Sequence, residues 1–377
     1  MSNLLATRRS QGRLLAFRLD YGLLVTTLVV AVIGVIIVYS ATRSSLLLHG
    51  DNPHYFLDRQ AAYVVVGGIV MVVLAAVDYR WLEHAAGLLY VGLILALLSV
   101  FVIGSTAEGA TRWLQLGPVQ LQPSAFGAVV LVVVTAVFCA RRPEGLERRD
   151  LLRVLALMAL PILLVVKQPD LGSGIVMAIV LLAMLIVAGI PNRYLVLLVL
   201  TAVGGIAAII HFGLLQPYQV ARITSFLHQA RNGQTSTYNL RQSVDAIGSG
   251  GFWGTGLFHG TQTNLSYVPE QQTDFIFSAV GEQLGFVGAA TVLVLLGIVA
   301  WRMLRVTQTT RDPFGRLLAT GCFALIAFSA FENAGMAMGI MPIAGIPLPF
   351  LSYGGSATVA FFAAVGIVLS VQLHRPR

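Results

Sequence analysis

Charged residues are scarce in this sequence. Asp, Glu, Lys and Arg make up 11% of its 377 residues, whereas 57% of the residues are hydrophobic. Soluble globular domains carry about 25% charged residues, so the composition excludes a soluble protein. Apolar runs long enough to cross about 30 Å of hydrocarbon recur along the chain. Because a backbone in lipid must satisfy its own hydrogen bonds, we predict an all-α fold, a polytopic membrane bundle of about ten transmembrane helices with one long extracytoplasmic loop.

Lysine, cysteine and the common cofactor motifs are rare or missing. The two cysteines, Cys139 and Cys322, lie in apolar runs and support neither a disulfide framework nor a metal cluster. No Walker motif, dinucleotide fingerprint or Gly-x-Ser-x-Gly elbow is present, which argues against an organic cofactor. Lys167 is the only lysine among 24 basic residues, and the net charge is +8. In a membrane protein, an excess of basic residues indicates how the chain is oriented in the membrane and where it contacts anionic lipids. It does not indicate nucleic-acid binding.

The apolar runs predict ten spans. They cover residues 21–40, 61–77, 85–103, 124–140, 151–166, 171–190, 194–212, 275–300, 317–338 and 353–372. An even number puts both ends of the chain on one side. With both termini in the cytoplasm, 17 of the 24 basic residues fall in inside segments, as the positive-inside rule expects. The fifth span is short and contains Pro161. If this segment did not cross the membrane, the predicted orientation of every later span would be reversed.

The chain is predicted to have two parts. Residues 1–20 form a cytoplasmic N-terminal segment, and residues 21–377 form a single transmembrane domain. The outer loop at 213–273 is far longer than a connection requires, which is typical of a functional loop. Within it, Tyr218 to Gln229 are predicted to form an amphipathic helix at the interface.

Asp274 stands where this polar loop enters the eighth span. A charged group near membrane depth is costly and is therefore a functional candidate. One interpretation is an N-cap of the following helix, made by Thr273 or Asp274. The other is a general base that abstracts a proton from a sugar hydroxyl, favoured by partial desolvation. Glu282 deeper in the same helix could be catalytic or a partner of an interhelical donor, and we interpret Glu332 with Asn333 as structural.

Basic side chains in the outer segments could bind an anion. Lys167 could do so, or it could pair with Asp170 three residues later. Arg112, Arg222 and Arg241 could grip a diphosphate through their planar guanidinium groups, or extend to lipid headgroups.

Motifs in a fixed order cover residues 112 to 356. They are Arg112-Trp113-Leu114, Leu121 to Ser124, Lys167 to Ser173, Gln216-Pro217-Tyr218, Arg222-Ile223, Tyr238-Asn239, Gln242-Ser243, Ala246 to Gly251, Gly260-Thr261-Gln262, Pro269 to Phe277, Gly281 to Gly285 and Pro347 to Ser356. In these motifs the chain resembles the SEDS family (shape, elongation, division and sporulation), more its RodA branch than FtsW. The last motif belongs to a loop with three prolines and three glycines, which predicts a cavity wall.

The resemblance implies a peptidoglycan glycosyltransferase of the bacterial cytoplasmic membrane. Such an enzyme polymerises lipid II into glycan strands at the outer face, releases undecaprenyl diphosphate, serves cell elongation and shape, and works with a class B penicillin-binding protein. A lipid II flippase and a noncatalytic scaffold of wall synthesis remain alternatives. A divalent cation, Mg²⁺ or Mn²⁺, could assist the leaving group, with no organic cofactor.

The resemblance also assigns residues. Asp274 matches the essential aspartate of the family and is the predicted catalytic base. The predicted substrate-binding residues are Arg112, Gln122, Lys167, Asp170, Arg222, Arg241, Gln262, Glu270, Glu282, Ser352 and Ser356. One departure concerns the segment after Gln-Pro-Ser, where the family usually has Glu and, three residues on, Lys. This chain has Ala125 and Ala128 there, so an ion pair is missing, either as a compensated structural loss or as a change in substrate handling.

Overall fold

The computed structural model describes residues 20–107, 110–117, 119–142, 145–211, 235–265 and 267–375. Twelve helices lie in this part of the chain: α1 (Tyr21–His49), α2 (Tyr55–Ala76), α3 (Trp81–Ile103), α4 (Pro123–Ala140), α5 (Arg148–Lys167), α6 (Leu171–Val187), α7 (Asn192–His211), α8 (Thr235–Ser249), α9 (Thr261–Asn264), α10 (Ile276–Thr309), α11 (Pro313–Ala337) and α12 (Gly355–His374). Each of the ten predicted spans coincides with one of them, including the fifth span with Pro161 inside α5. The predicted helix at 218–229, with Arg222, lies outside the described residues.

The helices form a membrane bundle, as predicted. Seven of those in the described ranges, α1 to α4 and α10 to α12, are long and apolar enough to cross a membrane. Helices α6 and α7 supply shorter apolar segments, and α5 carries charged residues at both ends. The chain is therefore a multi-pass membrane protein.

Both ends of the described chain lie at one end of the bundle. The Asp20 carboxylate before α1 pairs with Arg302 near the end of α10 at 2.5 Å. The Arg375 guanidinium after α12 donates to the Thr309 hydroxyl at 2.6 Å, again at the end of α10. The start of α1 and the end of α12 thus share a side, as an even number of crossings requires.

Three helices form the centre of the bundle. Most side chains of α4, α11 and α12 are buried, whereas only 22% of those in the apolar windows of α2 and α3 are buried, and the rest are partly or fully exposed to the surroundings, which in a membrane are lipid. Glycines allow α2 and α12 to approach closely. A Cβ atom on Gly366 would lie 2.7 Å from the Met71 carbonyl oxygen, and one on Gly67 would lie 2.4 Å from the Phe362 ring. Small residues serve membrane helices in this way because packing, not hydrophobicity, holds them together.

A small antiparallel sheet between α3 and α4 was not predicted. Its strands are β1 (Ser105–Ala107), β2 (Ala110–Leu116) and β3 (Val119–Leu121), in the order β1-β2-β3. Leu114 pairs with Leu121, and Gly117 turns the chain with a φ of 63°. Strands this short, next to long apolar runs, give no period-two signal of their own. The sheet carries Arg112 and Trp113 to the ends of the neighbouring helices.

Helix α10 is interrupted near its start. A continuous helix of 34 residues would be about 51 Å long, well beyond the thickness of the hydrocarbon core. At Gly285 the backbone leaves helical geometry, with φ 67° and ψ −166°. The segment after α8 satisfies the groups that this break releases. The Thr255 N–H donates to the Glu282 carbonyl at 3.0 Å, and the Phe286 N–H donates to the Gly251 carbonyl at 2.9 Å. The break therefore fixes the outer loop to the start of α10.

Replacement of Gly285 by alanine should destabilise this junction. The φ/ψ combination is almost exclusive to glycine, and a Cβ atom would lie 2.3 Å from the Gly254 nitrogen. We expect Gly285→Ala to cost about 3 kcal/mol or more, measured as a lower Tm of the purified protein in detergent. Gly297→Ala is the matched control, because Gly297 lies in the same helix with open space around its Cβ position. Equal Tm values for the two variants would contradict this account of the break.

Candidate active site

A cavity of about 230 Å³ opens at the end of the bundle where α4, α6 and α12 begin. The β2 strand, the segment before α10 and the loop before α12 complete its wall. Its polar lining consists of Arg112, Trp113, Gln122, Ser124, Asp170, Ser173, Thr273, Asp274, Ser329, Tyr353 and Ser356. Five predicted site residues therefore share one cavity: Asp274, Arg112, Gln122, Asp170 and Ser356.

Asp274 lies in the cavity wall, half-buried, two residues before the start of α10. The N-cap position of α10 is Phe275, and no side chain caps that helix. The N-cap interpretation of Thr273 or Asp274 is therefore wrong: the Thr273 hydroxyl bonds back to Glu270, and Asp274 lies one residue too early. The position of Asp274 in a polar cavity is consistent with the general-base hypothesis.

Asn333 on α11 holds the backbone of Asp274. Its side-chain amide donates to the Asp274 carbonyl at 2.7 Å and to the Ile346 carbonyl at 2.8 Å. Asn333 is fully buried, so water does not replace these bonds. One side chain thus connects α11, the start of α10 and the loop before α12 at the wall of the cavity. The sequence interpretation of Asn333 as structural agrees with these contacts but gave no hint of its link to Asp274.

The residues before Asp274 are held from the same loop. The Ser352 hydroxyl donates to the Thr273 carbonyl at 2.6 Å, and the Tyr353 N–H donates to the Gln272 carbonyl at 2.8 Å. Ser352 itself is buried and does not line the cavity. Its hydroxyl fixes the chain that carries Asp274, so the structure places it behind the wall and not at its surface.

Asp170 is held by neutral donors. As the N-cap of α6, its carboxylate accepts from the Ser173 N–H at 3.2 Å and from the Ser173 hydroxyl at 2.8 Å. Ser124 and Gln122 donate to it at 2.7 Å and 3.1 Å. Lys167 is exposed, does not line the cavity and makes no ion pair with Asp170 in the part of the chain that the structure describes. Lys167 is the last residue of α5, whereas Asp170 is the N-cap of α6 and its carboxylate is bonded to Ser173.

Gln122 and Arg112 join the elements around the cavity. The Gln122 N–H donates to the Ser356 hydroxyl at 2.9 Å, which ties α4 to α12. The Arg112 guanidinium donates to the Gln168 carbonyl at 3.3 Å and to the Pro169 carbonyl. A guanidinium has five N–H donors, and these bonds use two of them. Arg112 therefore anchors the β2 strand to the start of α6 and presents positive charge to the cavity.

Glu282 lies in α10 but outside the cavity, and its side chain contacts the outer loop. It is fully buried, and its carboxylate accepts from the Gln262 N–H at 2.7 Å, the Thr263 N–H at 2.9 Å and the Thr263 hydroxyl. A carboxylate held by three donors at the start of α9 stabilises the loop. Glu282 and Gln262 therefore connect the loop to α10, away from the cavity. Glu270 and Arg241 also do not line the cavity.

Six side chains of the polar lining were not among the predicted site residues: Trp113, Ser124, Ser173, Thr273, Ser329 and Tyr353. A signal existed for Ser173, which follows Asp170 at the spacing of a capped helix start. Tyr353 lies in the loop before α12, where burial raises the pKa of its phenol to about 12. Tyr353 is therefore a neutral donor at physiological pH and does not compete with Asp274 for the role of base.

Comparison with known proteins gives the family. The sequence model of the cell cycle proteins FtsW, RodA and SpoVE matches residues 21–377. The chain belongs to the FtsW/RodA/SpoVE family. It is 35% identical to the peptidoglycan glycosyltransferase MrdB of Escherichia coli strain K12 over 359 residues, which cover 95% of this chain and 94% of MrdB.

Solved structures of the FtsW/RodA/SpoVE family share the fold. One chain, from the study "Structural coordination of polymerization and crosslinking by a peptidoglycan synthase complex", is 27% identical with a TM-score of 0.77, covering 94% of this chain and 97% of that one. The rod shape determining protein RodA of Thermus thermophilus is 26% identical with a TM-score of 0.70, covering 95% and 98% of the two chains. The resemblance drawn from the motifs is confirmed at the level of the family.

In this member of the FtsW/RodA/SpoVE family, Ala125 and Ala128 form part of the cavity wall. The ion pair that the resemblance led us to expect at these positions would therefore stand inside the site. Methyl groups leave more space and less charge here. Of the described carboxylates, Asp170 and Asp274 are the two in the lining, and Arg112 is the described basic residue there.

Proposed function

We infer that the chain is a peptidoglycan glycosyltransferase that polymerises lipid II into glycan strands for cell elongation and shape. The observation that carries the proposal is that Asp274 and Arg112 line one cavity, in a chain that matches its family from residue 21 to residue 377. A base and a cation in one site suit a transfer in which a hydroxyl attacks and a diphosphate leaves.

The reaction follows from these two groups. Asp274 takes the proton of the acceptor 4-hydroxyl as that oxygen forms a bond to C1 of the donor sugar. The bond between C1 and the diphosphate oxygen breaks, and undecaprenyl diphosphate leaves with the electron pair. Arg112 offers N–H donors to the departing phosphate oxygens. Asp170 keeps its bonds to Ser124 and Ser173 and shapes the wall, because a carboxylate already holding several donors is a poor base.

The proposed orientation puts the cavity outside the cell. Arginines cluster at the opposite end of the bundle, at the ends of α4 and α10 and the start of α5, as expected for the cytoplasmic side. Both termini then lie in the cytoplasm, and lipid II reaches the cavity from the outer leaflet. We propose a class B penicillin-binding protein as the partner, supported by the likeness to a chain of a peptidoglycan synthase complex.

Polymerisation is best tested with purified components. The full chain in detergent or nanodiscs receives fluorescent lipid II, with and without the cognate penicillin-binding protein, and the products are separated on gels. We expect a ladder of glycan strands that a lysozyme-type hydrolase removes. Absence of strands under both conditions, from protein that is folded by size-exclusion chromatography, would contradict the proposed function.

A divalent cation is proposed to accompany the diphosphate. No group of three potential protein ligands occurs among the described residues, but Mg²⁺ commonly binds one or two carboxylates together with substrate phosphates. The diphosphate oxygens would supply most of the ligands of this cation, because Asp274 is assigned the role of base and Asp170 already accepts several hydrogen bonds. We expect EDTA to lower the polymerisation rate by about tenfold or more, and Mg²⁺ or Mn²⁺ to restore it. An unchanged rate in EDTA would remove the cation from the mechanism.

A further inference from the structure

A second concave site lies at the end of the bundle opposite the active-site cavity. It is a groove of about 590 Å³ between α3, α4 and α5. Gly87, Tyr90, Val137 and Leu157 contribute to its apolar wall, and the mouth is formed by Arg141 and Arg142. An apolar groove on the lipid-facing side of a membrane helix bundle has the shape and chemistry to take a hydrocarbon chain.

The hydroxyl group of Tyr90 in the wall of the groove is already hydrogen-bonded. The Tyr90 hydroxyl donates to the Leu157 carbonyl at 2.7 Å, so it is bonded within the wall. Gly87 provides space, because a Cβ atom there would meet nothing within 4 Å. These features favour an acyl chain over a polar ligand inside the groove.

The mouth of the groove is basic and partly fixed in place. Arg142 lies 3.8 Å over the Phe138 ring, donates to the Phe138 carbonyl at 2.6 Å and contacts Asp150 at 2.6 Å. Arg141 is largely exposed and lies 3.4 Å from Glu83. The segment from Arg141 to Arg153 holds five arginines and three carboxylates, which leaves a net charge of +2, or +1 when Glu83 is included.

These arginines lie at the end of α4 and the start of α5, where the bundle meets the lipid headgroups. A basic pocket between transmembrane helices at the headgroup level attracts anionic lipid, and a planar guanidinium matches a phosphate geometrically. We propose that the groove binds an anionic phospholipid, with one acyl chain against Gly87 and Tyr90 and the phosphate at Arg141 and Arg142. The site is separate from the active-site cavity and does not depend on the proposed activity.

Lipid binding is measured by native mass spectrometry of the purified full chain. Phosphatidylglycerol and phosphatidylcholine of equal acyl composition are titrated separately in detergent. We expect tighter binding of phosphatidylglycerol, and the double variant Arg141→Gln/Arg142→Gln should weaken it by about five- to twenty-fivefold, since each arginine near the surface contributes about 1 kcal/mol. Gly87→Phe, which adds a ring at a position in the groove wall where a Cβ atom meets nothing within 4 Å, should remove this bound lipid even with both arginines present.

Two control variants make the result specific. Arg305 lies 3.8 Å over the Trp301 ring near the end of α10, so Arg305→Gln removes one charge and one ring contact at the same end of the bundle and is compared with the single variant Arg142→Gln. Gly92 in α3 also has open space around its Cβ position but does not line the groove, so Gly92→Phe matches Gly87→Phe. Equal binding of the two lipids, an equal loss in Arg305→Gln, or retained lipid in Gly87→Phe would each overturn the proposal.

Discussion

The substitution Asp274→Asn is expected to lower the rate of lipid II polymerisation by about 10²–10⁴-fold, the contribution typical of a positioned general base. The amide keeps the size and shape of the carboxylate, so the cavity and the backbone bond from Asn333 to the Asp274 carbonyl should persist. What disappears is the acceptor for the proton of the attacking hydroxyl. The measurement is the initial rate of glycan formation from fluorescent lipid II, with Tm recorded alongside.

A matched control removes a similar charge elsewhere. Asp245 on α8 is exposed and does not line the cavity, so Asp245→Asn should leave the polymerisation rate within about twofold of the wild-type value, as is usual for surface substitutions. Equal losses in both variants would point to charge in general and not to Asp274. A lipid II flippase, by contrast, would keep transporting lipid II after Asp274→Asn, since that change preserves shape. Unimpaired polymerisation by the variant would remove Asp274 from the role of base.

The helices could be predicted from the sequence because one physical constraint governs them. Every crossing must cover the same hydrocarbon thickness with a self-bonded backbone, so each apolar run has a similar length. No pattern in the sequence predicted the break in α10. Gly285 is one of many glycines, and only the fold shows that the segment around Gly251 and Thr255 satisfies the backbone groups that the break releases. Partners distant along the chain are not encoded in a local pattern.

The candidate site, too, could be predicted from the sequence only in part. Asp170 and Asp274 each stand at the start of a helix on the same face of the membrane, so their meeting in one cavity follows from topology. Topology does not fix the direction of a side chain around the helix end. Lys167 lies only three residues from Asp170 yet is exposed outside the cavity. Glu282 is buried in the helix that follows Asp274, but its hydrogen-bond donors belong to the outer loop.

Asn333→Ala should lower kcat for polymerisation by about 10²-fold, because a shift of about 1 Å in a reacting group has a cost of that size. Without the amide, the carbonyls of Asp274 and Ile346 lose donors at 2.7 Å and 2.8 Å, and the start of α10 can move relative to the loop before α12. KM should change little, because Asn333 does not line the cavity. The variant should also lose about 1–3 kcal/mol of stability for each buried carbonyl left unpaired.

Loss of stability alone does not identify a positioning residue, so the comparison with Ser243→Ala decides the matter. Ser243 on α8 is also fully buried, and its hydroxyl donates to the Ala337 carbonyl at the end of α11 at 2.8 Å, away from the cavity. Ser243→Ala should lower Tm and leave kcat close to the wild-type value at a temperature where both variants are folded. If the two variants lose Tm and kcat in the same proportion, Asn333 only stabilises the fold. A selective loss of kcat in Asn333→Ala would establish that α11 positions the base, and that the geometry of Asp274 is set from outside its own helix.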